Sequence, residues 1–142
     1  MKKIILLLLT IVLVSSCNSD DDTISNEVFG NWILTSMHGS IPNSLVTGAA
    51  MEWQESYLLN TDGSFVKVRQ RDGVTTEATG TFVISITQDG RTLTLTFDTD
   101  NDIIASCSYL VEYMVFQSES SFNSTWEICD GAGLTYKKTN QF

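Results

Sequence analysis

The chain is short of several things that most functions require. It has one proline, one histidine, three cysteines and only 8 Lys and Arg residues among 142. One histidine cannot supply both a metal-ligand set and a catalytic base. With Cys107 and Cys129 it falls short of a zinc site in number and in spacing. No Gly-x-Ser-x-Gly, no His-Glu-x-x-His and no phosphate-cradling glycine loop occurs. The chain is therefore expected to be no enzyme and to need no cofactor. With 17 Asp and Glu the net charge is −9, which excludes nucleic acid as a partner, because phosphate binding needs a basic face. No apolar run approaches the roughly 20 residues that cross a bilayer, and no segment sustains a 3.6-residue apolar period. Hydrophobic residues still make up 42%, enough for one globular domain rather than a disordered chain.

The N-terminal residues carry an address. Met1-Lys2-Lys3 is a basic head, followed by the apolar run Ile4 to Val14, interrupted only by Thr10. That length fits a secretory signal. Val14-Ser15-Ser16-Cys17 resembles the bacterial lipobox, which implies acylation of Cys17 and cleavage before it. More than one acyl chain makes a stable bilayer anchor. The mature chain would then carry six Lys and Arg against 17 acids, a charge of −11. Asn18-Ser19-Asp20-Asp21-Asp22 resembles the surface-export signal of Bacteroidetes lipoproteins, which implies an outer-membrane protein facing outwards; the periplasmic face is the alternative. Asp22-Thr23-Ile24 resembles that phylum's O-glycosylation motif, whereas a bacterial source argues against use of the Asn123-Ser124-Thr125 sequon. The expected organisation is a signal peptide over 1–16, an acidic tether over 17–27 and one domain over 28–142.

From Val28 onwards, short runs alternate apolar and polar residues between turn signals such as Asp62-Gly63, Asp72-Gly73, Asp89-Gly90 and Asp130-Gly131. Asp-Gly between alternating runs marks a hairpin, since both residues tolerate positive φ. Eight strands are expected, over 29–38, 52–60, 64–71, 74–87, 91–98, 104–117, 121–129 and 133–139. Gly80 would mark a bulge or bend in the fourth. Residues 39–51 read as a long loop with room for one helical turn. Eight strands in hairpin order can close into an antiparallel up-and-down barrel, which removes both sheet edges; a β-sandwich is the alternative.

Gly30-Asn31-Trp32 resembles the Gly-x-Trp of lipocalins. Asn60-Thr61-Asp62-Gly63-Ser64-Phe65 and Thr79-Gly80-Thr81-Phe82 with Leu93-Thr94-Leu95 resemble two hairpins of the small lipocalin-like, calycin-type lipoproteins of Bacteroidetes. The resemblance implies an eight-stranded barrel over about 28–140, with Gly30 and Trp32 at one end and a cation of the last strand across the indole. That family uses Arg; this chain offers Lys137 and Lys138. It also implies binding rather than conversion. The ligand would be a small apolar molecule in the lumen. Otherwise the domain would be a protein-interaction module, such as a surface protease inhibitor or an accessory subunit.

Candidate inward residues are Trp53, Tyr57, Phe82, Phe97, Tyr109, Tyr113, Trp126 and Tyr136, which suit a pocket wall or a packed core. Cys107 and Cys129 are equidistant from a turn near Ser118, so a hairpin there would bring them face to face in an oxidising compartment. Against this, Trp126 and Ile128 alternate with Cys129, so an inward Trp126 puts Cys129 outside unless a bulge intervenes. Asp98, Asp100 and Asp102 alternate as in the first half of a calcium loop, but Ile103 and Tyr109 stand where that loop needs Gly and Glu, so a solvated turn is expected. Glu112 and Glu127 read as exposed strand charges, and His38 has no evident partner.

Overall fold

The computed structural model describes residues 28–139; the expected signal peptide, the expected acidic tether and Cys17 lie outside them. The described chain is an all-β barrel. Its strands are β1 (Gly30–His38), β2 (Val46–Thr47), β3 (Gln54–Leu59), β4 (Ser64–Arg71), β5 (Val74–Thr87), β6 (Gly90–Phe97), β7 (Val111–Ser118), β8 (Ser121–Ser124) and β9 (Gly133–Lys138). All pairings are antiparallel between neighbours, and β1 also pairs with β9, closing a ring of eight. The ninth strand, β2, is the one addition to the expected set. It lies along the outer half of β1, at Ser36 and Met37, because β3 covers only residues 30–33 of that edge. Closure satisfies the backbone groups that an open sheet would leave exposed.

Alternation places the core. In β6, Leu93, Leu95 and Phe97 are buried, while the intervening threonines face outwards or lie part-buried. Three turns and the chain start gather at one pole. There Trp32 is fully buried, its indole N–H donates to Val28 O at 2.8 Å, and its ring lies 4.5 Å from Phe122 and 5.9 Å from Phe116. The turn after β3 is held by Asp62, whose carboxylate accepts from the Ser64 hydroxyl and amide; those bonds hold its pKa below the ordinary carboxylate value. We call this the closed pole. Three long connections, residues 39–53, 98–110 and 125–132, gather at the other, the loop pole, beside the tight Asp72-Gly73 turn.

The strands differ from expectation in four places. Gly80 lies in a regular stretch rather than a bulge, paired with both Phe65 and Phe97. A Cβ there would overlap Thr96 O and the Phe65 ring, so glycine allows two aromatics to close over the strand. β7 begins at Val111 rather than near 104, because residues 98–110 fold back over the barrel mouth. β8 ends at Ser124, and Trp126–Cys129 forms a 3-10 turn. Asp130, in the left-handed region at φ 68°, ends that turn instead of making a hairpin.

Candidate functional site

The lumen is filled by a polar network that reaches from wall to wall. Glu55 on β3, Lys67 and Arg69 on β4 and Glu112 on β7 are all buried, with Tyr57 and Tyr136. Lys67 Nζ donates to Glu112 Oε1 at 2.7 Å and sits 3.1 Å from Glu55 Oε1. Arg69 Nε donates to Glu55 Oε2, and the Tyr136 hydroxyl donates to Glu55 Oε1 at 2.5 Å. The Tyr57 hydroxyl donates to Glu112 Oε2. Since β3 and β7 stand opposite one another in the ring, the Tyr57–Glu112 bond crosses the whole lumen. Lys67 also lies over the Tyr57 ring at 5.1 Å and the Phe97 ring at 5.8 Å. The two cations balance the two carboxylates, which is what lets four ionisable groups stay out of water. Burial first, and then the charge of Glu112, push the Tyr57 hydroxyl well above its ordinary value. Burial and Glu55 do the same to Tyr136. Every carboxylate oxygen of the network already accepts, so its chemistry is that of a strut.

The same network holds the mouth shut. The Ala105 amide donates to Glu112 Oε1 at 2.6 Å, and Arg69 Nη2 donates to Ile103 O at 3.1 Å. Ile103 and Ala105 are buried, so the 98–110 connection is a plug anchored by its backbone. Outside the plug, Cys107 and Cys129 stand with Cα atoms 5.8 Å apart and their sulfurs at bonding distance, linking the 98–110 and 125–132 connections. His38 Nε2 lies 2.9 Å from Glu127 Oε2. Between β1 and the 39–53 connection a cleft of about 460 Å³ opens, with Met37, Val46, Ala50 and Ala132 as its apolar lining and His38, Ser44 and Glu52 as its polar one. A second, of about 240 Å³, adjoins it through His38 and Gly39 and reaches Glu127.

The expected inward residues divide. Trp53, Tyr57, Phe82, Phe97 and Tyr136 are buried. Trp126 lies part-buried in the 3-10 turn at the mouth, its indole packed against Gly131. Tyr113 is 46% exposed because the inward parity of β7 belongs to Glu112 and Met114, and Tyr109, 73% exposed, lies before that strand in the 98–110 connection. At the closed pole Gly30 opens β1 at φ +115°, a value side chains disfavour. Lys137 is exposed and pairs with Ile33; Lys138 is the residue opposite Trp32. The cysteines meet as expected, though from a loop and a 3-10 turn rather than across a hairpin, which removes the parity conflict at Cys129. Glu112, read as an exposed charge, is buried, and His38 has the partner it lacked in sequence. Asp98, Asp100 and Asp102 are exposed, Asp98 accepting from the Thr79 hydroxyl at 2.7 Å. Among the described residues no group of three His, Cys, Asp or Glu could hold a metal.

Sequence reading missed Glu55, Lys67 and Arg69. The signal was there for Glu55, which shares the parity of Trp53 and Tyr57, and for Lys67 and Arg69, which share that of Phe65. The preference for charges outside overrode it.

The chain matches no family model, no curated protein and no solved structure.

Proposed function

We propose that this is an envelope lipoprotein of the small lipocalin-like type, anchored through Cys17 to the outer membrane and facing outwards. In this reading the barrel binds a protein partner and converts nothing. The observation that carries the reading is the contrast between the lumen and the loop pole. A lumen crossed by the Tyr57–Glu112 bond and occupied by buried charged side chains is poorly matched to the small apolar ligand a carrier would hold. The loop pole instead offers open clefts beside exposed apolar side chains at Ile41, Leu45, Tyr109 and Ile128. The described chain begins at Val28 beside Trp32, so a tether pulls on the closed pole and leaves the loop pole directed away from the bilayer.

A photoreactive amino acid placed at Leu45 or Ile128, and at Val83 on the outer face of β5 as a control, tests the reading in the native host. A protein adduct formed from the loop-pole sites and not from Val83 supports it. Retention of a small molecule in the native mass spectrum, with no protein adduct, would return the carrier reading. Cys17→Ser should release the protein from membranes; lipid still attached to that variant would end the anchor proposal.

A further inference from the structure

The loop pole has a surface chemistry of its own. Its apolar side chains are well exposed: Ile41 73%, Leu45 63% and Ile128 79%, with Tyr109 beside them in this respect. They stand on three different connections, and bonds of the structure bring those connections together. Leu45 follows Ser44, whose hydroxyl both donates to Gly39 O at 3.0 Å and accepts from its amide at 2.9 Å. Gly39 follows His38, which is paired to Glu127 at 2.9 Å. Ile128 is next in sequence, then Cys129, which meets Cys107 two residues before Tyr109. The four apolar side chains thus stand on connections that are tied together into one rim of the loop pole, where the 460 Å³ cleft opens between Met37, Ser44, Val46 and Ala132. Two of its tips are set by non-glycine residues in the left-handed region, Asn43 at φ 62° and Tyr109 at φ 44°. Tyr109 is carried outwards against that preference while Ser106 and the cysteine link hold its loop, with the Ser108 amide donating to Ser106 Oγ at 2.8 Å.

Charge separates this pole from the other. Around the rim stand Glu52, Asp72, Asp100, Asp102, Glu127 and Asp130, all exposed, with Arg71 as the fixed cation among them, already bound to Glu52 and 3.8 Å from Asp72. The closed pole has Asp62, Asp89 and Glu119 against Arg91, Lys137 and Lys138, an even balance. A field of one sign over a concave, partly apolar mouth raises the local concentration of opposite charge. A second copy of this chain would bring acid against acid at this pole and no net positive charge at the other. An anionic lipid surface would be repelled.

We propose that the loop pole docks a cationic polypeptide that carries apolar side chains, its basic groups facing the acidic rim and an apolar one entering the cleft over Met37 and Val46. This rests on the protein-binding reading above and names the chemistry of the partner.

The full chain isolated from its host in a neutral detergent, with empty micelles as the blank, is titrated with three synthetic peptides: alternating Lys-Leu, alternating Glu-Leu and alternating Lys-Ser. The Lys-Leu peptide should bind roughly tenfold or more tighter than either of the others, with affinity falling as salt rises past the point where the Debye length drops below about 8 Å. Leu45→Ser with Ile128→Ser should lose roughly tenfold, as should Asp102→Asn with Asp130→Asn, while Asp62→Asn with Asp89→Asn at the closed pole should change affinity by less than about twofold. These positions are exposed, so circular dichroism should show each variant folded. Equal losses from the two charge pairs would mean diffuse attraction to an acidic protein and would overturn the proposal. Tight binding of Glu-Leu that the loop-pole variants weaken would overturn the cationic partner and leave the protein-binding reading standing. Indifference of all peptides to the loop-pole variants would count against both. A dimer in sedimentation that Leu45→Ser with Ile128→Ser dissolves would replace the proposed partner with a second copy.

Discussion

The two poles of the barrel achieve closure by opposite means. At the closed pole the connections are short, the plug is an aromatic cluster around Trp32, Phe116 and Phe122, and surface charges balance. At the loop pole the connections are long, and the plug is a backbone segment held by buried charges, with Ala105 and Ile103 bonded to Glu112 and Arg69. The apolar plug needs only a matching shape. The polar one needs every donor and acceptor placed, since a single unmet charge in that interior is costly. The difference puts the short turns and the apolar plug at one pole and the long, cross-linked connections with their exposed rim at the other.

The sharpest way to break the comparison is Trp32→Ala. Emptying the closed pole should lower stability by about 3–5 kcal/mol in urea unfolding, because neighbouring rings cannot fill the volume. An unchanged midpoint would contradict the ring's place in the core. Next is Glu112→Gln, which leaves Lys67 with Glu55 as its remaining anion and removes the charge that accepts the Ala105 amide. A loss of about 3 kcal/mol is expected, with faster hydrogen exchange over 98–110 and unchanged protection at the closed-pole turns. Uniform loss of protection would show that the poles do not open separately. Slightly smaller is the cost of Cys107→Ser with Cys129→Ser. Releasing a closed loop of 22 residues should cost about 3 kcal/mol or less, again read in the exchange of 98–110 and 125–132. The smallest effect concerns pH. Tyr57 and Tyr136 have folded-state pKa values raised above the unfolded ones. The stability they contribute is therefore complete below about pH 10 and is lost as pH climbs towards their folded values, where only the unfolded chain ionises. Urea midpoints should decline above about pH 10, and the double Phe variant should decline less steeply from a lower starting point. An identical slope in that variant would place the alkaline titration elsewhere.

Much of the barrel was legible because period-two alternation and Asp-Gly turns are local signals. The strands from Gln54–Leu59 to Gly90–Phe97 follow them closely, as in β6 with Leu93, Leu95 and Phe97 inside. The loop pole was far less legible. The pattern predicts a strand over 104–117 with Tyr109 and Tyr113 inward because aromatic rings bury area, but the strand starts at Val111, Tyr109 lies in the connection before it, and Glu112 and Met114 hold the inner face. A charge is admitted there only because Lys67 and Tyr57, 45 and 55 residues away in sequence, arrive at the same point. No window of sequence contains that information. The same holds for His38, whose partner Glu127 lies 89 residues on.

The sequence by itself determined the all-β class, the hairpin order and the burial of Trp32, since each follows from patterns within a strand or about one turn, whereas the meeting of Cys107 with Cys129 came by a route that strand parity did not give. Only the tertiary structure decided that a charged network crosses the lumen, and that three connections distant in sequence meet at one acidic pole with exposed apolar side chains. Closure of the ring sets those neighbours. Once β1 meets β9, side chains on opposite walls share one low-dielectric interior and must satisfy each other there.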